Sequence, residues 1–212
     1  MDVFERFEEI GIIPVVVLED AKDALPLGKA LMEGGLPAAE VTFRTAAAEE
    51  SIRILAKEYP DMLVGAGTVL TPEQADRAVA AGAKFVVSPG LDKKLVKHCL
   101  KNNIPVCPGT QTASEMMAAL KLGLTKVKFF PAENAGGLKM IKAIGAALTA
   151  LRFMPTGGIS ENNVREYLAD PKIFCCGGSW MVKGDMIRAG NFDEIKEKVA
   201  AAAAIVKEQR AK

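Results

Sequence analysis

The stretch MLVGAGTVLTPEQADRAVAAGAKFVVSPG, residues 62–90, contains one complete strand–helix–strand pattern. Its apolar runs MLVGAG (62–67) and KFVVS (84–88) lack polar alternation, which is typical of strands that are covered on both faces. Between them Thr71 is a helix N-cap candidate, and Gly82 supplies a stop signal. Two successive strands joined by a helix pair in parallel through a right-handed crossover. The stretch therefore predicts one unit of an α/β fold.

The same alternation continues along the whole chain of 212 residues. Segments with apolar residues at helical spacing separate eight strand candidates, which are IIPVVVL (12–18), AAEVTF (38–43), MLVGAG (62–67), KFVVS (84–88), IPVCPG (104–109), KVKFF (126–130), LRFMP (151–155) and KIFCC (172–176). The segment MDVFERFEEIG predicts a leading helix, and FDEIKEKVAAAAAIVKEQRAK predicts a long closing helix. Eight such units favour a (β/α)8 TIM barrel, with an open doubly wound sheet as the alternative fold. No linker or shift in composition divides the chain, so we expect one domain, residues 1–212.

The composition describes an ordinary globular protein, with 50% hydrophobic residues, 25% charged residues and a net charge of +1. This charge gives no reason to expect a nucleic-acid or membrane partner. No apolar run approaches the roughly 18 residues that span a bilayer, and the acidic N-terminus is unlike a signal peptide. The cysteines show neither metal spacing nor an evident pairing scheme, which favours reduced thiols in a cytoplasmic protein. They are Cys99, Cys107, Cys175 and Cys176.

Metal chemistry is disfavoured because His98 is the only histidine, so one chain cannot build a site from several histidine ligands. We expect neither a metal nor an organic cofactor. An enzyme that binds its metal through several histidines lacks its ligands in this sequence.

Lys128 is the most unusual residue of the strand candidates. It lies in the middle of TKVKFFPAENAGG (125–137), between Val127 and two phenylalanines. Lysine is rarely buried without a partner, because removing an ammonium group from water costs several kcal/mol. Either the side chain reaches water past the strand end, or the protein uses an amine that loses its proton easily.

The barrel fold predicts that functional groups lie at the carboxyl ends of the strands. Unusual residues do follow the strand candidates at this end, and together they favour the reactive amine. They are Glu40 and Arg44 in AEVTFRT, Thr68 after the third strand, Pro89 after the fourth, Lys128 late in the sixth, TGG (156–158) after the seventh and GGS (177–179) after the eighth.

Each of these residues also has a purely structural explanation. A lone strand lysine often extends to solvent, Glu40 and Arg44 are a candidate ion pair, and Thr68 is a candidate helix cap. The glycine pairs Gly157–Gly158 and Gly177–Gly178 are candidate tight turns. Their joint placement at one end of the barrel is what favours a functional site.

The loops PTGGIS and CGGSWM follow the seventh and eighth strand candidates, where many barrels hold a phosphate group. Glycines let backbone N–H groups approach an anion closely, and a helix N-terminus adds a favourable dipole. Ser179 offers a hydroxyl donor. Neither loop contains lysine or arginine, so phosphate binding would depend on amides and the helix end.

These groups suit imine chemistry. Burial in an apolar pocket lowers the pKa of an amine, and a neutral lysine attacks a ketone to form a Schiff base. Glu40 is the candidate base for a hydroxyl proton and for the enamine carbon. Arg44 offers planar, bidentate geometry to a substrate carboxylate. The sequence thus predicts a phosphorylated 2-keto acid as the small-molecule substrate.

With these motifs the chain resembles the 2-keto-3-deoxy-6-phosphogluconate (KDPG) aldolases, which include the bifunctional 4-hydroxy-2-oxoglutarate (KHG) aldolases. The motifs are EVTFRT, GAGTVLTPEQ, VSPGLD, VKFFPAENAGG, PTGGIS and CGGSWMV, in the family's order from about Gly11 to about Val182. The resemblance implies a class I aldolase on a (β/α)8 barrel, a homotrimer in the cytoplasm that serves the Entner–Doudoroff pathway.

The resemblance also implies a role for each site residue. Lys128 would form the Schiff base, and Glu40 would be the general acid/base, acting partly through a water. The substrate would be bound by Arg44 and Thr68 at the pyruvate-like end, by Pro89 and Phe130 along the pocket, by Thr156 near the aldehyde-derived carbon, and by Gly157, Gly158, Gly178 and Ser179 at the phosphate.

Other functions remain open on the residues alone. The family branch that cleaves the galactonate epimer differs at several of these positions, and Thr156 and the loop SPG (88–90) favour the gluconate branch. A phosphosugar isomerase would use an acid/base pair without an imine. A non-catalytic phosphosugar-binding barrel would not release pyruvate.

Overall fold

The computed structural model describes residues 2–211, and eight parallel strands form its single sheet. The strands are β1 (Ile12–Val16), β2 (Ala38–Thr42), β3 (Leu63–Gly67), β4 (Val86–Ser88), β5 (Val106–Thr110), β6 (Lys126–Phe129), β7 (Arg152–Pro155) and β8 (Cys176–Gly178). The helices are α1 (Val3–Ile10), α2 (Ala24–Gly34), α3 (Ala48–Glu58), α4 (Pro72–Ala80), α5 (Lys93–Lys101), α6 (Ala113–Lys121), α7 (Gly137–Ala147), α8 (Val164–Leu168), α9 (Gly184–Arg188) and α10 (Phe192–Arg210).

The strand order confirms the barrel and excludes the doubly wound alternative. The strands follow the order β7-β6-β5-β4-β3-β2-β1-β8, so each strand from β1 to β6 lies beside its successor, and β8 lies beside β1. Isolated bridges from Phe153 to Ile173 and from Thr156 to Gly177 connect the two end strands. The barrel is therefore nearly closed, with helices between successive strands.

The helix start predicted at Thr71 is confirmed by the local geometry. Thr71 caps α4, where its side chain accepts a hydrogen bond from the Gln74 amide at 3.3 Å. Thr112 caps α6 in a capping box with Glu115, in which each side chain bonds the other residue's backbone amide. Such caps bind amides that have no partner inside the helix.

The eighth strand differs from its prediction. The pattern KIFCC (172–176) suggested a strand that ends where β8 begins, at Cys176. Ile173 reaches β7 only through its bridge to Phe153. The regular ladder instead joins β8 to β1, pairing Ile12, Ile13 and Pro14 with Cys176, Gly177 and Gly178. Gly177 and Gly178 thus lie inside β8 and not in the loop after it, because they are the residues that pair with β1.

An aromatic layer closes the N-terminal end of the barrel beneath α1. The buried ring of Phe7 packs edge-on against Phe85, with 4.7 Å between ring centroids, and lies parallel to Phe174 at 6.3 Å. Phe4 packs edge-on against both Phe7 and Phe174. Buried aromatic pairs of this kind contribute about 0.5–1.5 kcal/mol beyond their burial. The leading helix is therefore part of the core, which forms one cluster and supports the proposal that residues 1–212 fold as one domain.

Glu8 connects α1 to the first residues of β6 and β7. Its carboxylate lies 2.7 Å from the Lys126 amine and 2.7 Å from the Arg152 guanidinium. Burial alone raises the pKa of Glu8, but the hydrogen bonds and charges of Arg152 and Lys126 outweigh it and hold the pKa below its ordinary value. The folded state therefore stabilises the ionised carboxylate.

We expect Glu8→Gln to lower the free energy of unfolding near neutral pH by about 1 kcal/mol, the size found for partly exposed ion pairs. Because the folded-state pKa lies below the unfolded-state pKa, this contribution is present above the unfolded value and disappears as the pH falls through the folded one. Urea denaturation at about pH 7 and about pH 3 measures the difference. The exposed neighbour Glu9, changed to glutamine, is the control; a deficit for Glu8→Gln that persists unchanged in acid would contradict the ion-pair account.

Candidate active site

Lys128 and Glu40 meet inside the barrel near the carboxyl ends of their strands. The amine of Lys128 donates a hydrogen bond to Glu40 Oε1 at 3.2 Å, although the two residues are 88 positions apart in sequence. Glu40 is fully buried and Lys128 is 5% exposed. The explanation of Lys128 as a solvent-seeking strand residue is therefore wrong. The barrel instead holds an amine and a carboxylate in contact, out of bulk water.

Gly67 provides the space that the Glu40 carboxylate occupies. It is the last residue of β3, and a Cβ atom at this position would lie 2.2 Å from Glu40 Oε1. Real Cβ atoms do not approach other atoms so closely, so any side chain here would displace the carboxylate. Gly67 was not predicted as a site residue, and a glycine at the end of a barrel strand is the only signal that pointed to it.

Two buried polar atoms have no hydrogen-bond partner among residues 2–211, namely Glu40 Oε2 and Thr156 Oγ1. A buried polar atom without a partner costs about 1–3 kcal/mol, so such atoms are rare in folded proteins. Thr156 directly follows β7, as predicted, and its side chain is buried. The site therefore has a carboxylate oxygen and a hydroxyl that are both free to bind a further molecule.

Three residues surround Lys128 in the barrel, namely Phe130, Thr110 and Cys107. The aromatic ring of Phe130 lies 5.2 Å from the amine, a distance at which the ring face attracts a cation. Thr110 Oγ1 donates a hydrogen bond to the Lys128 carbonyl oxygen at 3.1 Å. Burial raises the pKa of the nearby Cys107 thiol, which the positive charge of Lys128 opposes only in part, so this thiol remains protonated. Of the thiol and the amine in this pocket, the Lys128 amine is therefore the better candidate for a nucleophile.

Thr68 and Pro89 lie in the loops that follow β3 and β4, as the sequence predicted. Thr68 has φ +55°, a left-handed conformation that is uncommon for a residue with a branched side chain. Its explanation as a helix cap is wrong, because Thr71 caps α4 instead. Strained backbone conformations of this kind are held in place by the surrounding structure, and they are more frequent at functional sites than elsewhere.

Arg44 does not join the buried pair. It lies in the turn after β2, is exposed, and makes no hydrogen bond or ion pair with any residue from 2 to 211. Its explanation as an ion-pair partner of Glu40 is wrong, since Glu40 contacts Lys128. A guanidinium without a partner at the edge of the barrel mouth is free to meet an anionic group of a substrate.

The glycine loops form a separate part of the mouth. Gly157 and Gly158 follow β7 with φ values of +95° and +81°, and Ser179 is exposed after β8. Within the described chain, the amides of Gly157, Gly158, Ser179 and Trp180 donate no hydrogen bond to protein atoms. Gly178 is buried within β8. Unpaired amides on glycine-rich loops are donors suited to an anion.

From Asp2 to Ala211, no three His, Cys, Asp or Glu side chains are grouped closely enough to hold a metal ion. The four cysteines are free and buried. Over the same residues, none of the helices has the length and apolar character needed to cross a lipid bilayer.

The family model of the KDPG and KHG aldolases matches residues 3–198 of the chain. The 2-dehydro-3-deoxy-phosphogluconate aldolase of Treponema pallidum (strain Nichols) is 51% identical over 193 residues, which cover 91% of this chain and 92% of the relative. The KHG/KDPG aldolase of Escherichia coli (strain K12) is 47% identical over 184 residues, covering 87% and 86%.

A solved structure is similar over almost the whole chain. The crystal structure of KDPG aldolase from Legionella pneumophila superposes with a TM-score of 0.91 and 43% sequence identity, covering 95% of this chain and 98% of that one. That crystal structure holds pyruvate captured at low pH as a covalent carbinolamine intermediate.

Proposed function

The chain belongs to the KDPG and KHG aldolase family, and we propose that it cleaves 2-keto-3-deoxy-6-phosphogluconate to pyruvate and glyceraldehyde 3-phosphate through a Schiff base on Lys128. The observation that carries the proposal is the buried contact of 3.2 Å between the Lys128 amine and the Glu40 carboxylate. It brings a nucleophile and an acid/base group together inside the barrel. The covalent pyruvate intermediate of the Legionella relative supports the same chemistry.

In the proposed mechanism, the uncharged Lys128 amine attacks the C2 ketone to give a carbinolamine, which loses water to form an iminium ion. Glu40 accepts the proton of the C4 hydroxyl, directly or through water, as the bond between C3 and C4 breaks. The bonding electrons move toward the iminium nitrogen, so glyceraldehyde 3-phosphate leaves and an enamine remains. Protonation at C3 and hydrolysis then release pyruvate and the free amine.

We assign the substrate contacts as proposals of the same kind. Arg44 would bind the substrate carboxylate, with Thr68, Pro89 and Phe130 lining the keto-acid end. Supporting the assignment, Arg44 has no protein partner among the described residues, and Phe130 lies directly against the amine. The buried, unpaired hydroxyl of Thr156 would contact the reacting middle of the substrate.

The phosphate group would bind at the loops after β7 and β8. There the unpaired amides of Gly157, Gly158 and Ser179, together with the Ser179 hydroxyl, offer hydrogen-bond donors. Gly178 would serve from within the strand by keeping the approach to this loop open. The segments 156–160 and 177–182 contain no lysine or arginine. Backbone amides would therefore supply most of the hydrogen bonds to the phosphate.

A second substrate is supported by one comparison. The Escherichia coli relative carries the name KHG/KDPG aldolase, and we propose that this chain also cleaves 4-hydroxy-2-oxoglutarate to pyruvate and glyoxylate. This substrate shares the keto-acid end and lacks a phosphate. Both cleavages use the same amine and carboxylate.

Pyruvate release tests the function directly. Purified protein incubated with 2-keto-3-deoxy-6-phosphogluconate should release pyruvate, which lactate dehydrogenase converts while NADH absorbance falls. We expect no loss of rate when a strong chelator is present. The galactonate epimer serves as the comparison substrate, and faster cleavage of that epimer would overturn the choice of the gluconate branch.

We also propose that the enzyme is a homotrimer in the cytoplasm. The family resemblance supports the trimer, and four free, buried cysteines suit a reducing compartment. In the alanine-rich segment 200–206 of α10, the chain's own core buries one face, and only Ala200, Ala201 and Ala204 are exposed. Sedimentation equilibrium measures the mass, and a monomer would overturn the trimer.

Gly67→Ala should lower kcat about 10- to 100-fold, because small displacements of a catalytic group have effects of this size. Adding Glu40→Asp should recover part of the loss, since the shorter side chain withdraws from the new methyl group. Gly65→Ala is the matched control on the same strand: its Cβ would meet the Phe85 ring at 2.4 Å, so it should cost stability and spare kcat. A Gly67→Ala enzyme with kcat within about twofold of the wild type would refute this positioning role.

A further inference from the structure

Backbone hydrogen bonds join two loops at the barrel mouth. One follows β6, the strand that carries Lys128, and the other is the glycine loop 156–158 after β7. The loop 131–137 follows β6 and carries a 3-10 turn, Glu133–Ala135. Its Ala132 amide donates to the Thr156 carbonyl at 2.8 Å, and its Glu133 amide donates to the Gly157 carbonyl at 3.0 Å. The loop 131–137 thus binds the carbonyl groups of Thr156 and Gly157, while the Gly157 and Gly158 amides donate no hydrogen bond to the described residues.

The Glu133 side chain adds a second connection, to the helix that follows the glycine loop. Tyr167 of α8 donates a hydrogen bond from its hydroxyl to Glu133 Oε1. Tyr167 is only 2% exposed, whereas Glu133 lies at the surface of the loop. Burial and the Glu133 carboxylate raise the pKa of Tyr167, so its hydroxyl remains a donor.

Two glycines leave the space that this side-chain contact needs. A Cβ atom on Gly158 would lie 2.5 Å from Glu133 Cβ and 2.5 Å from Glu133 Cγ. A Cβ atom on Gly137 would lie 3.0 Å from both Glu133 Oε1 and the Tyr167 hydroxyl oxygen. The Glu133 side chain therefore lies between the glycine loop and the start of α7. Because it packs against Gly158, the position of Gly158 depends on the position of this side chain.

We propose that Glu133 and Tyr167 are positioning residues that hold Gly157 and Gly158 in place and so act on the phosphate-bearing end of the substrate. The inference rests on the proposed function, which places the phosphate on the amides of Gly157 and Gly158. Neither side chain contacts Lys128 or Glu40. Loss of the contact should therefore weaken binding of a phosphorylated substrate and spare the chemistry of the amine.

Tyr167→Phe removes only the hydroxyl and tests the proposal. We expect KM for 2-keto-3-deoxy-6-phosphogluconate to rise about tenfold, because a hydrogen bond to a charged group is lost. The kcat value, and the rate at which borohydride traps pyruvate on Lys128, should stay at the wild-type level, since pyruvate carries no phosphate. Tyr59→Phe is the matched control: its hydroxyl donates to the Leu25 carbonyl at 2.7 Å, away from the glycine loop.

Variants at Glu133 separate positioning from charge. Glu133→Gln keeps an oxygen that accepts the Tyr167 hydroxyl and should lose less affinity for the phosphorylated substrate than Glu133→Ala. A Glu133→Gln enzyme that binds this substrate more tightly than the wild type would overturn the proposal, because the carboxylate would then act only by repelling phosphate.

Two further outcomes would overturn the proposal. Equal losses of substrate cleavage and pyruvate trapping in Tyr167→Phe would show a general structural role, and unchanged KM in both Tyr167→Phe and Glu133→Ala would show no role. A failure of the proposed function is distinguishable from these, since the wild-type protein itself would then neither trap pyruvate nor cleave the phosphorylated substrate.

Discussion

Replacing Lys128 with methionine should abolish turnover and the covalent capture of pyruvate together. Methionine has a similar length and no amine, so it fills the space without forming an imine. Loss of a covalent nucleophile lowers turnover by roughly three to six orders of magnitude in well-studied hydrolases, and we expect a loss in this range. Reduction with borohydride in the presence of pyruvate, followed by peptide mapping, should locate the adduct on Lys128 in the wild type and find none in Lys128→Met.

Lys126 supplies the matched control for this experiment. It lies two positions earlier on β6, and side chains two positions apart lie on the same face of a strand. Its amine contacts Glu8 at the opposite end of the barrel. Lys126→Met should lose some stability and keep both the adduct and the turnover. Normal pyruvate release from Lys128→Met, or an adduct at another lysine of the wild type, would refute the proposed Schiff base.

Glu40→Gln should lower kcat for cleavage by about 10²- to 10⁴-fold, the range found when a general acid/base is removed. The amide keeps the shape of the side chain but does not accept the C4 hydroxyl proton. Pyruvate has no C4 hydroxyl, so its iminium ion, which borohydride reduces, forms without this proton transfer, and trapping should fall much less than cleavage. Steady-state kinetics and the trapping rate of the same preparation measure the two effects.

Glu8→Gln is the control for the carboxylate, because Glu8 also pairs with a lysine of β6 but at the other end of the barrel. It should leave kcat unchanged. If Glu40→Gln cleaves within about tenfold of the wild-type rate, Glu40 is not the general base. If trapping and cleavage fall by the same factor, the carboxylate acts chiefly on the amine, and the proposed proton transfer from the C4 hydroxyl is wrong.

The fold follows from the sequence because the signals that produce a barrel are local. Strand runs without polar alternation, caps such as Thr71 and stop signals such as Gly82 lie within a few residues of the elements they define. The eighth strand was misplaced for a related reason. Its pairing residues Gly177 and Gly178 have no strand propensity of their own, and they form β8 because they meet β1 and leave room for the Thr156 and Trp180 side chains.

The site was predictable only in part. A lysine and a carboxylate at strand ends are visible in the sequence, and the barrel brings Lys128 to Glu40. The role of Gly67 cannot be read from the sequence, because it depends on the Glu40 side chain of the neighbouring strand lying against this glycine. The contact of Glu133 with Tyr167 joins a loop to helix α8, 34 positions later, and likewise has no pattern in the sequence. Contacts of this kind arise from the three-dimensional packing of the loops.

The aromatic layer of Phe4, Phe7, Phe85 and Phe174 lies at the end of the barrel remote from Lys128 and Glu40. The side chains that close this end of the barrel are therefore different from those proposed to bind and cleave the substrate. Substitutions in the aromatic layer can therefore be selected for heat resistance without a change in substrate. Substitutions in the loops can be selected for a new sugar acid without a change in the aromatic layer.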